Sequence, residues 1–245
     1  MIIDMHMHVD SASVGLDVSP ETCVRAMDVA GVDRAAVMTL MDLRGADPSA
    51  MELIAEACEQ YDDRLFGFIR LHPGHREQAH TFLRTAITEL GFRGLKLHPV
   101  STHAHPAGEE TIDLIRAAGE LGVPTLFHCG DEAFSTPLSI APAAAACPDS
   151  TIILGHMGGY FHVDEAIDVA ERYGNIILET SAMPYPHKIR EAVARIGADR
   201  VVFGSDGPVS SPDLEREKIM VAGLTDEQTR LVLGGNAASL LGVSA

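Results

Sequence analysis

The stretch Ile2-Ile3-Asp4-Met5-His6-Met7-His8 opens the chain with a short apolar run that ends in two histidines one residue apart. In an extended strand, side chains alternate between faces, so residues i and i+2 share one. His6 and His8 are therefore expected side by side at the C-terminal end of a first strand. Two imidazoles placed in this way can hold one divalent metal. The pair carries little weight alone and gains it from what later strand ends add.

Seven more apolar, β-branched-rich runs follow the first, Ile2–Met5. They are Ala35–Thr39, Leu65–Arg70, Gly94–His98, Pro124–His128, Thr151–Gly155, Ile176–Glu179 and Val201–Ser205. Their starts lie roughly 25 to 33 residues apart, about one strand–helix unit. Helix signals fall between them. Ser19-Pro20 and Asp47-Pro48 read as N-caps followed by proline, and Thr225 with Gln228 as a capping box. Gly31, Gly91, Gly122, Gly174 and Gly197 stand where a helix ends and a left-handed residue is wanted. Eight near-continuous apolar strands alternating with helices predict parallel strands covered on their outer face. A doubly wound open sheet would carry a Gly-rich phosphate turn after its first strand, and this chain has His-x-His there. The expected fold is α/β, a single (β/α)8 TIM barrel forming one domain over residues 1–245, with a metal site at the C-terminal ends of the strands.

The 245 residues are 46% hydrophobic and 22% charged, the balance of an ordinary globular protein. No run approaches the ~18 apolar residues of a membrane span, and no basic segment precedes an apolar one, so a cytoplasmic location is expected. A formal charge of -17 argues against nucleic acid or an anionic membrane as partner and leaves a small-molecule substrate. Self-association into a homo-oligomer stays open. The four cysteines form no Cys-x-x-Cys and read as free thiols, with Cys129 turned by alternation away from its neighbour His128.

Active sites of such barrels lie at the C-terminal strand ends. There the sequence supplies His6 and His8, then Arg70 with His72, Lys96 with His98, His128, His156 and Asp206. Alternation groups Pro124, Leu126 and His128 on one face, Ile152, Leu154 and His156 on another, and Val202, Gly204 and Asp206 on a third. Each of these faces ends in one polar side chain aimed at the barrel mouth. Asp4 is expected on the interior face under His6, to orient a ligand or to serve a buried structural bond. Only three lysines occur, which singles out Lys96. His103, His105, His162 and His187 fall in the expected loops.

The ordered set His6-x-His8, Lys96, His128, His156 and Asp206 resembles the amidohydrolase superfamily of metal-dependent barrels. Gly-Leu-Lys-Leu-His-Pro, Gly-His-Met-Gly-Gly and Gly-Ser-Asp-Gly-Pro resemble its branch containing aminocarboxymuconate-semialdehyde decarboxylase. The resemblance implies that His6, His8, His128 and Asp206 ligate one divalent ion, zinc by expectation. It also implies that Asp206 and His156 are catalytic, Asp206 accepting a proton and His156 polarising a carbonyl or shuttling a proton. In two-metal relatives a lysine at the end of strand four is carboxylated and bridges both ions, with His128 and His156 on the second. Otherwise Lys96, with Arg70 and His98, would meet a substrate carboxylate.

The expected function is a metal-dependent hydrolase that turns an activated water on a small ester, lactone or amide, carboxylate-bearing by the presence of Lys96. The alternative is a lyase, a non-oxidative decarboxylase or hydratase of an unsaturated or aromatic carboxylate. A scaffold barrel with a closed structural zinc site fits least, since such sites fill all four positions with protein ligands.

Overall fold

β1 (Ile3–His8) pairs in parallel with β2 (Arg34–Met38), and each later strand adds to its predecessor. β3 (Leu65–Arg70), β4 (Gly94–Leu97), β5 (Thr125–His128), β6 (Ile152–Gly155), β7 (Ile176–Glu179) and β8 (Val201–Val202) complete an eight-stranded parallel sheet in sequence order. The computed structural model describes residues 1–11, 15–41 and 48–243. β8 is shorter than expected because beyond Val202 its backbone turns to the first strand. Phe203 O accepts from Met5 N at 2.9 Å, Gly207 O from His8 N at 2.7 Å, and His6 O from Asp206 N at 2.7 Å. These bonds close the barrel.

Helices cover the outside: α1 (Pro20–Ala30), α2 (Ser49–Gln60), α3 (Arg76–Thr88), α4 (Pro99–Thr102), α5 (Glu109–Glu120), α6 (Pro137–Ala146), α7 (Val163–Arg172), α8 (Pro186–Ile196), α9 (Pro212–Met220), α10 (Asp226–Arg230) and α11 (Asn236–Leu241). Ser19 caps α1 and Thr225 with Gln228 forms the capping box of α10, as the sequence predicts. Gly31, Gly91, Gly122 and Gly197 take positive φ, whereas Gly174 does not, because α7 ends in extended backbone at Tyr173. Asp47 lies outside the described residues.

Two apolar layers result. Ile3, Met5, Ala36, Met38, Phe68, Leu126, Ile153, Ile177 and Val202 fill the barrel, plugged from below by Ala237, Ala238 and Leu241 of α11. Val37, Leu95, Leu97, Phe127, Cys129, Ile152, Leu154 and Leu178 face the helices. Cys129 therefore points outward, as alternation predicts.

Two alternation readings are overturned. β1 carries a bulge: Asp4 lies opposite Ala35 and Met7 opposite Val37, so Met5 and His6 together face Ala36. The extra residue sends both Met5 and His6 inward and leaves Asp4 opposite an outer-layer residue, beneath the β1–β8 seam rather than under His6. On β6 the interior residue is Ile153, not Ile152 or Leu154. His156 reaches the mouth through left-handed backbone, φ 63° at His156 and 46° at Met157. The β6 sheet parity alone would have turned it to the helices.

Candidate active site

The C-terminal ends of β1, β4, β5, β6, β7 and β8 bring a buried polar cluster together at the mouth. The β1 bulge places His6 with its Nδ1 2.9 Å from Glu179 Oε2 and its Nε2 2.8 Å from Lys96 Nζ. His8 Nε2 lies 2.9 Å from Asp206 Oδ1, and the same oxygen is 3.7 Å from His6 Nε2. Asp206 itself sits at φ 60°, held by its N–H to His6 O. His156 joins Ser181 Oγ through Nδ1 at 2.8 Å and His128 Nδ1 through Nε2 at 3.1 Å. Among the described residues, His6, His156 and Asp206 offer donor atoms within 4.8 Å of one another. His128 reaches this trio through His156, and its Nε2 contacts Glu132 Oε2 at 3.2 Å.

The protonation states follow from burial. Burial, then the charge of Lys96, holds His6 well below the ordinary imidazole value. Burial, then the neighbouring His128, lowers His156 to about 4, and burial lowers His128 in the same direction. Burial works against the charge of Asp206, but the His8 hydrogen bond and nearby imidazoles outweigh it and keep the carboxylate ionised. Neutral imidazoles beside an ionised carboxylate are the state in which a divalent ion is bound without releasing protons. His8 Nδ1 is buried with no hydrogen-bond partner among the described residues, a further lone pair suited to an ion or a small rearrangement toward one. The donor set fits a metal.

The substrate-facing candidates lie around this centre. Lys96 is 1% exposed, with the outer-facing Leu95 and Leu97 on either side, so parity puts its amine inside the barrel. His98 stacks on His128 with ring centroids 4.0 Å apart and 7° between planes, and burial, then His128, lowers it to about 2. Its Nδ1 also caps α4 by accepting from Ser101 N. Arg70 is spent partly on structure, donating to Thr39 O, Leu40 O and Ser101 Oγ. His72 accepts from Gly74 N in its own turn, His105 accepts from Ala107 N, and His162 pairs with Glu165. His103 ends α4 in left-handed backbone, and the His187 ring lies near that of Tyr185. Asp4 Oδ1 accepts from His6 N and Ser205 N, a structural bond across the seam, and burial raises its carboxyl to about 8.

Three residues of the cluster escaped the sequence reading: Glu179, Ser181, which follows it by two and bonds both Glu179 and His156, and Glu132. Glu179 is fully buried at the end of β7 and accepts from His6, Ser181 and His156 N. The signal was present: Ile177 and Glu179 share a strand face, and the strand-end rule applied to the seventh strand would have found it. Gly204 makes the room, since a Cβ there would fall 2.2 Å from Glu179 Oε1. Glu132 follows β5 in a loop, and no periodicity marks it. The hydrogen bond from His128 lowers its carboxyl to about 2.

A closed parallel barrel with a histidine–carboxylate cluster at its strand ends is an enzyme architecture whose chemistry resides in that cluster. The chain belongs to the amidohydrolase family, whose model matches residues 3–243. No curated protein matches the sequence. Among solved structures, an uncharacterised TIM-barrel protein from Bordetella bronchiseptica superposes with a TM-score of 0.82 at 20% identity, covering 98% of both chains. The 5-carboxyvanillate decarboxylase of Sphingomonas paucimobilis gives 0.79 at 15% identity over 99% of each chain. A dihydroxybenzoic acid decarboxylase from Polaromonas sp. JS666, with bound manganese and the inhibitor 2-nitroresorcinol, gives 0.72 at 20% identity over 98% of this chain and 96% of that one. Such similarity establishes the shared barrel. No helix among the described residues is long and apolar enough to cross a membrane.

Proposed function

We propose that this protein is a non-oxidative decarboxylase of a small aromatic carboxylate, dependent on one divalent ion. The observation that carries the reading is the full-length likeness to decarboxylases of hydroxylated aromatic acids, one of them holding manganese. It moves the expected hydrolase to second place, supported by the family's name and by a cluster able to serve either reaction. His6, Asp206 and one or both of His8 and His156 would hold the ion, with His128 behind His156. The imidazole-rich set suits zinc, and manganese is the competing ion.

When bound, the ion supplies Lewis acidity toward the substrate's oxygens. The chain's own residues do the rest. His6 would hold the ion through the lone pair that Lys96 Nζ contacts at 2.8 Å, so the two uses of that nitrogen are alternatives. Lys96 then turns its amine to the substrate carboxylate, a point charge on a flexible stem. The stacked His98–His128 pair offers a flat wall for an aromatic ring. In the reaction the bond from ring carbon to carboxylate breaks, its electron pair stays on the ring, the ring carbon takes a proton and CO2 leaves. No oxidant is consumed. Asp206 Oδ1, ionised at rest and steadied by His8, would take up a proton from solvent and pass it to the ring carbon, returning to the carboxylate, with His156 beside it. The test is substrate loss across 2,6-dihydroxybenzoate, 5-carboxyvanillate and simple lactones, with protein reconstituted in Zn2+ or Mn2+. Turnover of a benzoate that stops on chelation supports the reading. Turnover of lactones alone returns the site to hydrolysis.

A further inference from the structure

We propose that Glu179 is a positioning residue that sets the tautomers of His6 and His156 together, so that each presents a bare Nε2 on the side of the mouth. Carboxylate oxygens accept hydrogen bonds, and two of the groups on Glu179 are backbone N–H groups that can only donate. Glu179 is fully buried and surrounded by donors: Ser181 N at 2.5 Å, Ser181 Oγ at 2.9 Å, His6 Nδ1 at 2.9 Å and His156 N at 3.2 Å.

Counting hydrogens along these contacts fixes the rest. His6 must carry its hydrogen on Nδ1, which leaves Nε2 as a lone pair; Lys96 Nζ, a donor, lies 2.8 Å from it. Ser181 gives its only hydroxyl hydrogen to Glu179, so its oxygen accepts from His156 Nδ1 at 2.8 Å. His156 Nε2 is then bare as well; a neutral His128 that gives its one hydrogen to Glu132 through Nε2 also has a bare Nδ1, 3.1 Å away. One carboxylate on β7 thus reaches imidazoles on β1 and β6, one directly and one through a hydroxyl. A carboxylate behind a ligating histidine commonly fixes its tautomer and raises its basicity. Here a single group serves two histidines that the sequence places 150 residues apart, at positions 6 and 156. The space for it exists because position 204 has no side chain.

Glutamine is the sharpest probe, since its amide nitrogen must set donor against donor somewhere in this ring of four. The first arm needs no metal: ring 15N correlation spectra of histidine-labelled, chelator-treated protein read the tautomers directly. Wild type should show Nδ1–H at both His6 and His156, Glu179→Gln should scramble both, and Ser181→Ala should disturb His156 alone. The second arm rests on the metal reading: Mn2+ affinity by chelator competition should fall roughly 10- to 100-fold in Glu179→Gln. Nε2–H at His6 in wild type, or a folded Glu179→Gln with unchanged tautomers and Mn2+ affinity, would overturn the proposal. If Glu179→Gln does not fold, the wild-type and Ser181→Ala spectra decide. A wild type that takes up no Mn2+ removes the metal reading, and the tautomer arm still judges Glu179.

Discussion

Replacing Lys96 by methionine separates two accounts of the mouth. Lys96 Nζ, buried in the barrel, donates to His6 Nε2 at 2.8 Å, on the lone pair a metal would take. Metal binding to wild type must break that contact. A hydrogen bond to a charged group is worth about 1.5–3 kcal/mol, and ~1.4 kcal/mol is tenfold, so removing the competitor should tighten metal binding by about 10- to 100-fold. Methionine keeps an unbranched chain of similar size and suits the apolar neighbours, so the barrel should persist. The assay is chelator competition for one equivalent of Mn2+ or Zn2+, with total metal counted on the purified variant. Lys96→Met should hold its ion at least as tightly as wild type and lose substrate binding, seen as a raised KM. If Lys96 is instead carboxylated and bridges two ions, the same change strips metal and activity together. Loss of metal from the variant would refute the single-ion reasoning.

Three other outcomes follow from the same geometry. Asp206→Asn should fold and lose about 10²–10⁴-fold in turnover, because the proton carrier beside His8 is gone; a metal-replete variant with wild-type rates would remove Asp206 from the chemistry. Gly204→Ala drives a Cβ to 2.2 Å from Glu179 Oε1. Overpacking of this kind costs about 1–3 kcal/mol, and the thermal midpoint should fall together with metal affinity; an unshifted midpoint would contradict the close approach. Burial holds Asp4 up at about 8 against an ordinary 3.8, so the folded state prefers the proton. Stability from this group is complete below 3.8 and is lost as pH rises through 8. Asp4→Asn, neutral throughout, should therefore gain on wild type in chelator-treated melts as pH is raised, and a gap that narrows with rising pH would refute it.

The barrel was legible because β-branched runs and helix caps recur at the spacing of one strand–helix unit. The site was legible where alternation holds. Lys96 and His128 lie on the faces their strands predict, opposite the outer-layer Leu95, Leu97, Phe127 and Cys129, whereas Asp206 lies past the end of β8 at φ 60°. Alternation fails where the backbone departs from it, and amino-acid identity does not announce such departures. The β1 bulge reversed the reading of Asp4, and left-handed backbone at His156 delivered the right residue from the wrong parity. Glu179 was missed although it shares the inner face with Ile177, because the strand-end rule was not carried to the seventh strand. Glu132 lies in a loop, where only the folded contact with His128 gives it meaning.

The most direct measurement is the CO2 and proton balance of the metal-loaded protein on a carboxyl-13C-labelled hydroxybenzoate. Decarboxylation predicts one labelled CO2 released and one proton taken into the ring carbon for each substrate consumed, ending when the ion is chelated. Proton release with the label retained in the organic product, on this substrate or on a lactone, would contradict it.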